Sequence, residues 1–144
     1  MSQHNVVLLL GSNLGNRKEN IALATEKIEA EIGAVTRRSS LVQSEPVEFV
    51  SNNYFCNIAL RIKTCLSPIC LLNALKKVEV AMGRAEDSLI TNEYADRVID
   101  IDIVKYGEIT FSSSRLQIPH HKHLHMREFS RELLSEILQE TLKT

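Results

Sequence analysis

Two carboxylates one residue apart, in Arg97-Val98-Ile99-Asp100-Ile101-Asp102-Ile103, are the strongest chemical signal in the sequence. On a strand, side chains two apart point the same way, with Cα atoms about 6.6–6.8 Å apart. Asp100 and Asp102 then share one face, and Ile99, Ile101 and Ile103 the other. Neighbouring carboxylates repel each other unless a cation neutralises them. Such an oxygen pair suits Mg²⁺, which keeps several waters and binds through one or two carboxylates plus substrate phosphates. The plainer alternative is a half-exposed strand whose polar face is acidic, with Arg97 as its surface partner.

Four of the five histidines fall within six residues, in Pro119-His120-His121-Lys122-His123-Leu124-His125-Met126-Arg127. Neither a helical HExxH nor a zinc-finger spacing is present. Together with Lys122 and Arg127 these side chains could bind phosphate, or form a solvated polar loop. Gly11-Ser12-Asn13-Leu14-Gly15-Asn16 joins a strand to a helix, where backbone N–H groups can receive a phosphate. It matches neither a P-loop nor GxGxxG, so a tight structural turn is the stronger reading. Glu79 lies on the buried stripe of a helix, which points either to a polar ligand or to pairing with Lys76. Phe55 and Asn57 share the less apolar face of a strand, as an aromatic shelf beside an amide would in a heterocycle pocket. Ordinary packing also produces such pairs.

The elements that must position these residues follow from periodicity. Val6 to Leu10 reads as a buried strand. Asn16 caps a helix with Glu19 at its N3 position. Ile21, Ala24, Ile28 and Ile32 form the buried stripe of that helix, and Gly33 ends it. Val35 to Ser44 is predicted as one strand, and Glu45 to Asn53 as a loop. Phe55 to Thr64 alternates, with Cys56, Ile58, Leu60 and Ile62 on one face. Ser67-Pro68 opens a second helix, striped by Leu71, Leu72, Leu75, Val78 and Met82 and stopped at Gly83. Val98 to Tyr106 is another strand, Gly107 turns towards Phe111, and a last helix covers Arg127 to about Leu142. Strand, helix, two strands, helix and strand make the split βαβ plan, a mainly antiparallel sheet with helices packed on it.

The chain of 144 residues carries a net charge of −1, with 44% hydrophobic and 24% charged residues. These values predict one globular domain over 1–144. They argue against a basic nucleic-acid-binding module. The longest aliphatic run, Val6 to Leu10, is far short of the roughly 20 residues of a membrane span. Met1-Ser2-Gln3-His4-Asn5 has no secretory pattern, and Cys56, Cys65 and Cys70 are too few for a disulfide framework. A cytoplasmic location is expected.

Taken in order, the landmarks resemble the 6-hydroxymethyl-7,8-dihydropterin pyrophosphokinase family. They are Leu10-Gly11-Ser12-Asn13-Leu14-Gly15-Asn16-Arg17, Ser44-Glu45-Pro46-Val47, Phe55-Cys56-Asn57-Ile58-Ala59, and Glu79 with Gly83-Arg84. Then follow Arg97 to Ile103, Arg115-Leu116-Gln117-Ile118-Pro119-His120, and Arg127-Glu128-Phe129. The resemblance implies a ferredoxin-like α+β fold with a βαββαβ core. It implies transfer of pyrophosphate from ATP to the pterin hydroxymethyl group, with release of AMP. Asp100 and Asp102 would hold two Mg²⁺ ions, and with Arg84 and Arg97 they would form the catalytic group. Glu79, Arg84, Arg97, Ile103, Arg115, His120 and Arg127 would bind ATP. Ser44, Pro46, Val47, Phe55, Asn57 and Phe129 would line the pterin slot, the two phenylalanines stacking on the rings. A monomer acting on small molecules, without nucleic acid or membrane, is implied as well. The chain departs from the family pattern in an acidic, longer loop from Ala85 to Asp96, in Tyr94 where tryptophan is common, and in Leu133 where proline is usual. Leu133 therefore predicts an unbroken terminal helix.

Two other classes compete. One is a non-catalytic ferredoxin-like module that binds a nucleotide or heterocycle as a regulator. The other is a transition-metal protein built on the histidine cluster. The adjacent aspartates speak against the first, because passive anion recognition does not call for them without a metal.

Overall fold

The structure, a computed structural model, describes residues 3–44, 54–83, 98–120 and 128–141, with the side chains of 130–137 in the last segment. Its elements run β1 (His4–Ser12), α1 (Arg17–Glu31), β2 (Ala34–Arg38), β3 (Val42–Ser44), β4 (Phe55–Thr64) and α2 (Pro68–Ala81). After these come β5 (Asp100–Tyr106), β6 (Phe111–Ser112), β7 (Gln117–Ile118) and α3 (Glu128–Thr141). The sheet has the order β2-β4-β1-β5, with β3 added beside β4. Every described pairing in it is antiparallel. This is the expected ferredoxin-like α+β plan, with β1 at its centre and α1 and α2 as the crossovers. A small β6–β7 hairpin lies outside the main sheet.

Both faces of the sheet are covered, which explains why Val6 to Leu10 is buried at every position. Val6, Leu8, Leu10, Ile58, Leu60, Ile62, Ile101 and Ile103 meet Ile21, Ile28, Leu71 and Leu75 of the two crossover helices. On the other face Val7, Leu9, Ala59 and Val104 receive Leu133, Leu134 and Ile137 of α3. The terminal helix is unbroken through Leu133, as the absence of a proline predicts.

Local chemistry sets the helix ends. The Asn16 side chain accepts the Glu19 amide at 3.1 Å, and Ser67 accepts that of Cys70 with Pro68 behind it. Gly33 is required by a close approach, since a Cβ there would lie 2.2 Å from the Lys63 carbonyl oxygen.

One boundary differs from expectation. The predicted strand from Val35 to Ser44 is two strands, interrupted between Arg38 and Val42. There the Ser39 hydroxyl accepts the Ala59 amide at 2.8 Å, and the Ser40 hydroxyl donates to Glu136 of α3 at 2.7 Å. Side-chain bonds add to the backbone bond from the Ser39 amide to the Ala59 carbonyl at 2.9 Å where the chain turns to meet α3. In β5, Val104 and Lys105 stand together opposite Val7, a β-bulge. It puts Tyr106 on the same face as Ile103 and sends Val104 to the other.

Candidate functional site

Register brings the chemically marked residues together. Gly11 on the central strand pairs with Asn57 on one side and Asp100 on the other. Leu9 likewise pairs with Ala59 and Asp102. Directly paired residues share a face, so Asn57, Gly11 and Asp100 form a row across three strands, with Asp102 beside its end. Two strand spacings put the Asn57 and Asp100 Cα atoms about 10 Å apart. No register shift falls between residues 100 and 102, so both carboxylates point to the α3 side of the sheet.

Asn57 is 4% exposed, and its amide is oriented by neighbours. Its Nδ2 donates to the Val42 carbonyl at 3.1 Å and to the Ser44 hydroxyl at 2.8 Å. A carbonyl only accepts, so the amide must offer its nitrogen there. The Oδ1 acceptor is turned towards Gly11, 3.1 Å from where a Cβ would stand. Phe55, the partner of Ser44, sets its ring edge 3.2 Å from the same point. Ser44, Phe55 and Asn57 thus meet at one end of the row, as an aromatic edge beside a hydrogen-bond acceptor.

At the other end, Asp102 and His120 keep side-chain exposures of 31% and 26%, with Oδ2 and Nε2 4.0 Å apart. The His120 amide donates to the Val104 carbonyl at 2.8 Å, which fixes the chain leaving β7 against β5. Glu79, 2% exposed, accepts the Ile101 amide through Oε2 at 2.8 Å. Ile101 lies between the two aspartates, so the buried carboxylate holds the strand that carries them. The described residues contain no group of three or more His, Cys, Asp or Glu that could hold a metal. Two carboxylates alone match Mg²⁺, a cation that draws its remaining ligands from water and substrate phosphate. The donor set therefore fits that ion.

The Ile103 side chain is buried in the first core with Leu8, leaving only its main chain to face a ligand. Arg115 donates to Asn73 of α2. Arg84, Arg97, Arg127, Pro46 and Val47 lie outside the described residues, as do Tyr94, His121, His123 and His125 and the side chain of Phe129. The Gly11 turn is pinned by Asn20, whose Nδ2 donates to the Leu14 carbonyl at 2.8 Å and to the Ser12 hydroxyl at 3.2 Å. Sequence reasoning weighed Gly11 only within the Gly11–Asn16 turn and gave Val42 no part. The strand register and the Asn57 bonds are what bring both beside Asn57, since neither has a side chain with polar chemistry of its own.

A family described as 7,8-dihydro-6-hydroxymethylpterin-pyrophosphokinase (HPPK) matches residues 7–139. A 2-amino-4-hydroxy-6-hydroxymethyldihydropteridine pyrophosphokinase of Porphyromonas gingivalis is 32% identical over 92% of this chain and 89% of its own length. A folate synthesis bifunctional protein of Arabidopsis thaliana is 43% identical over 81% of this chain, which spans only 24% of that protein's length. Among solved structures, a Plasmodium falciparum HPPK-DHPS triple mutant with STZ-DHP has a TM-score of 0.67 at 16% identity. That match covers 92% of this chain and 38% of the other. At that identity the likeness speaks for the fold.

Proposed function

The chain belongs to the 7,8-dihydro-6-hydroxymethylpterin-pyrophosphokinase family, and from that premise we propose that it transfers pyrophosphate from ATP to 6-hydroxymethyl-7,8-dihydropterin in folate biosynthesis, releasing AMP. The observation that carries this reading is the row Asn57, Gly11, Asp100 on one sheet face. It supports the reading because a pterin seated at Asn57 and cations held at Asp100 and Asp102 would lie about 10 Å apart, two strand spacings.

In this reading the Asn57 Oδ1 accepts from an N–H of the pterin while Phe55 and Phe129 stack on its rings, with Ser44, Pro46 and Val47 closing the slot. The hydroxymethyl oxygen then faces the aspartates. It bonds to the β-phosphorus of ATP as the Pα–O–Pβ bridge breaks, and AMP leaves with the bridging oxygen. Asp100 and Asp102 would hold two Mg²⁺ ions, whose chemistry is to offset the charge gathering on the phosphate oxygens. Arg84, Arg97, Arg127 and His120 add donors to the same oxygens, because catalysis of phosphoryl transfer is chiefly positioning and electrostatics. Glu79, Ile103 and Arg115 serve the nucleotide side, Glu79 by holding β5 beneath it. The protein is expected to act as a monomer and a single domain over 1–144, in the cytoplasm, on small molecules rather than nucleic acid or membrane. Among the described residues no helix is long and apolar enough to cross a membrane.

The test is product analysis with Mg·ATP and the hydroxymethyl pterin. AMP and the pterin diphosphate are expected. ADP would indicate a simple kinase, and neither product a binding module. Asp100→Ala and Asp102→Ala should each lower kcat by about 10²–10³ or more, with thermal unfolding nearly unchanged. Near-native rates in either variant would remove the metal role.

A further inference from the structure

We propose that Gly11 is the specificity-determining residue of the heterocycle seat. Its missing Cβ keeps the Phe55 ring and the Asn57 amide at the depth a flat pterin needs. The inference rests on the pterin reading above, in which Gly11 is only a link in the row, and gives that residue a part of its own.

Glycine is disfavoured inside a strand, having no side chain to pack and the most backbone freedom to lose. It is the more unexpected at Gly11 because the five preceding residues are valine and leucine. Backbone strain does not require it, since the described glycines with positive φ are Gly15, Gly83 and Gly107. The position therefore demands space. A Cβ on Gly11 would meet Asn57 Oδ1 at 3.1 Å, Phe55 Cδ1 at 3.2 Å and Phe55 Cε1 at 3.7 Å, its three nearest atoms. None of these is backbone; all belong to the two residues assigned to the pterin. Asn57 is poorly able to yield, because turning its amide would break the bonds to Val42 and Ser44. A methyl at residue 11 therefore displaces the half-buried Phe55 ring or spoils the acceptor, and either change falls on the pterin rather than on ATP.

The experiment measures AMP formation by wild type and Gly11→Ala, with pterin and ATP varied separately and folding checked by circular dichroism. The expected result is a pterin KM raised about tenfold or more, the scale of a misfitted methyl in a pocket, with the ATP KM within about twofold. An unchanged pterin KM, or equal rises for both substrates, overturns the role of Gly11 alone. Absence of AMP from the wild-type chain overturns the pterin reading and this inference together. Should Gly11→Ala fail to fold, the Gly11→Ala/Phe55→Ala double variant replaces it, since the vacated ring space admits the methyl. Its pterin KM should match that of Phe55→Ala alone. A further rise of about tenfold or more overturns the proposal.

Discussion

Glu79 shows how a buried side chain can hold a strand in place. From the sequence, its place on a buried stripe pointed to a polar ligand or to Lys76. In the structure the carboxylate binds the amide of Ile101, between the two aspartates. Among the described residues β5 ends the sheet order beside β1, so its outward-facing amides meet no further strand there. A buried amide without a partner is costly. Glu79→Ala should therefore lower stability by about 1–3 kcal/mol, the cost of stranding a buried donor. Glu79→Gln, which keeps an acceptor oxygen, should lose less. Urea unfolding of the two variants checks this, and equal losses would show that the Ile101 bond is not what Glu79 contributes.

Among the elements, α3 decides how the second face of the sheet is used. Alternation along Phe55 to Thr64 made Cys56, Ile58, Leu60 and Ile62 legible as one face, and they do form one core. The opposite face, with Asn57 and Arg61 on it, gave little sign of a second core. Ala59 is completely buried there because Leu133, Leu134 and Ile137 close over it. Such a contact joins residues far apart in the chain, beyond the reach of local periodicity. The interruption between β2 and β3 has the same origin, since Ser40 bonds to Glu136, 96 residues away. Leu133→Ala should cost about 2–5 kcal/mol, as other fully buried leucines do. Glu136→Ala should cost about 0.5–1.5 kcal/mol, the net value of ordinary hydrogen bonds. Chemical denaturation ranks the two, and an equal or reversed order would contradict apolar closure as the main hold of α3. For the candidate site, the sequence marked Asp100 and Asp102 because chemistry and spacing coincide in one short stretch. It did not mark the pairing of Gly11 with Asn57 and Asp100, which is a matter of the register of three strands.

For the whole molecule, the alkaline side of the stability profile carries a distinct signature. Burial is the leading cause that raises the Cys56 thiol above its ordinary pKa, against the lowering influence of Lys18 and Arg17. Burial likewise leads in raising Tyr106, with Cys65 adding to it. Both groups are neutral when protonated, so the fold favours the protonated form. Their contribution to stability is complete below the unfolded-state values and is lost as pH rises through the higher folded values. The urea midpoint should fall from about pH 8.5 through about pH 10 and above. Cys56→Ala should remove the earlier part of that fall. A midpoint that stays constant to about pH 11 would contradict the assignment.

The bulge at Val104 and Lys105 has a consequence for the chain as a sequence open to change. By adding one residue it separates the phase of the acidic end of β5 from that of the end anchored by Tyr106, whose hydroxyl donates to the Leu66 carbonyl. Each end can follow its own inside–outside rule, so substitutions on one side need no compensation on the other. Losing or gaining a residue between Asp102 and Tyr106 would throw one end out of step, which makes the length of this stretch less free to drift than its composition.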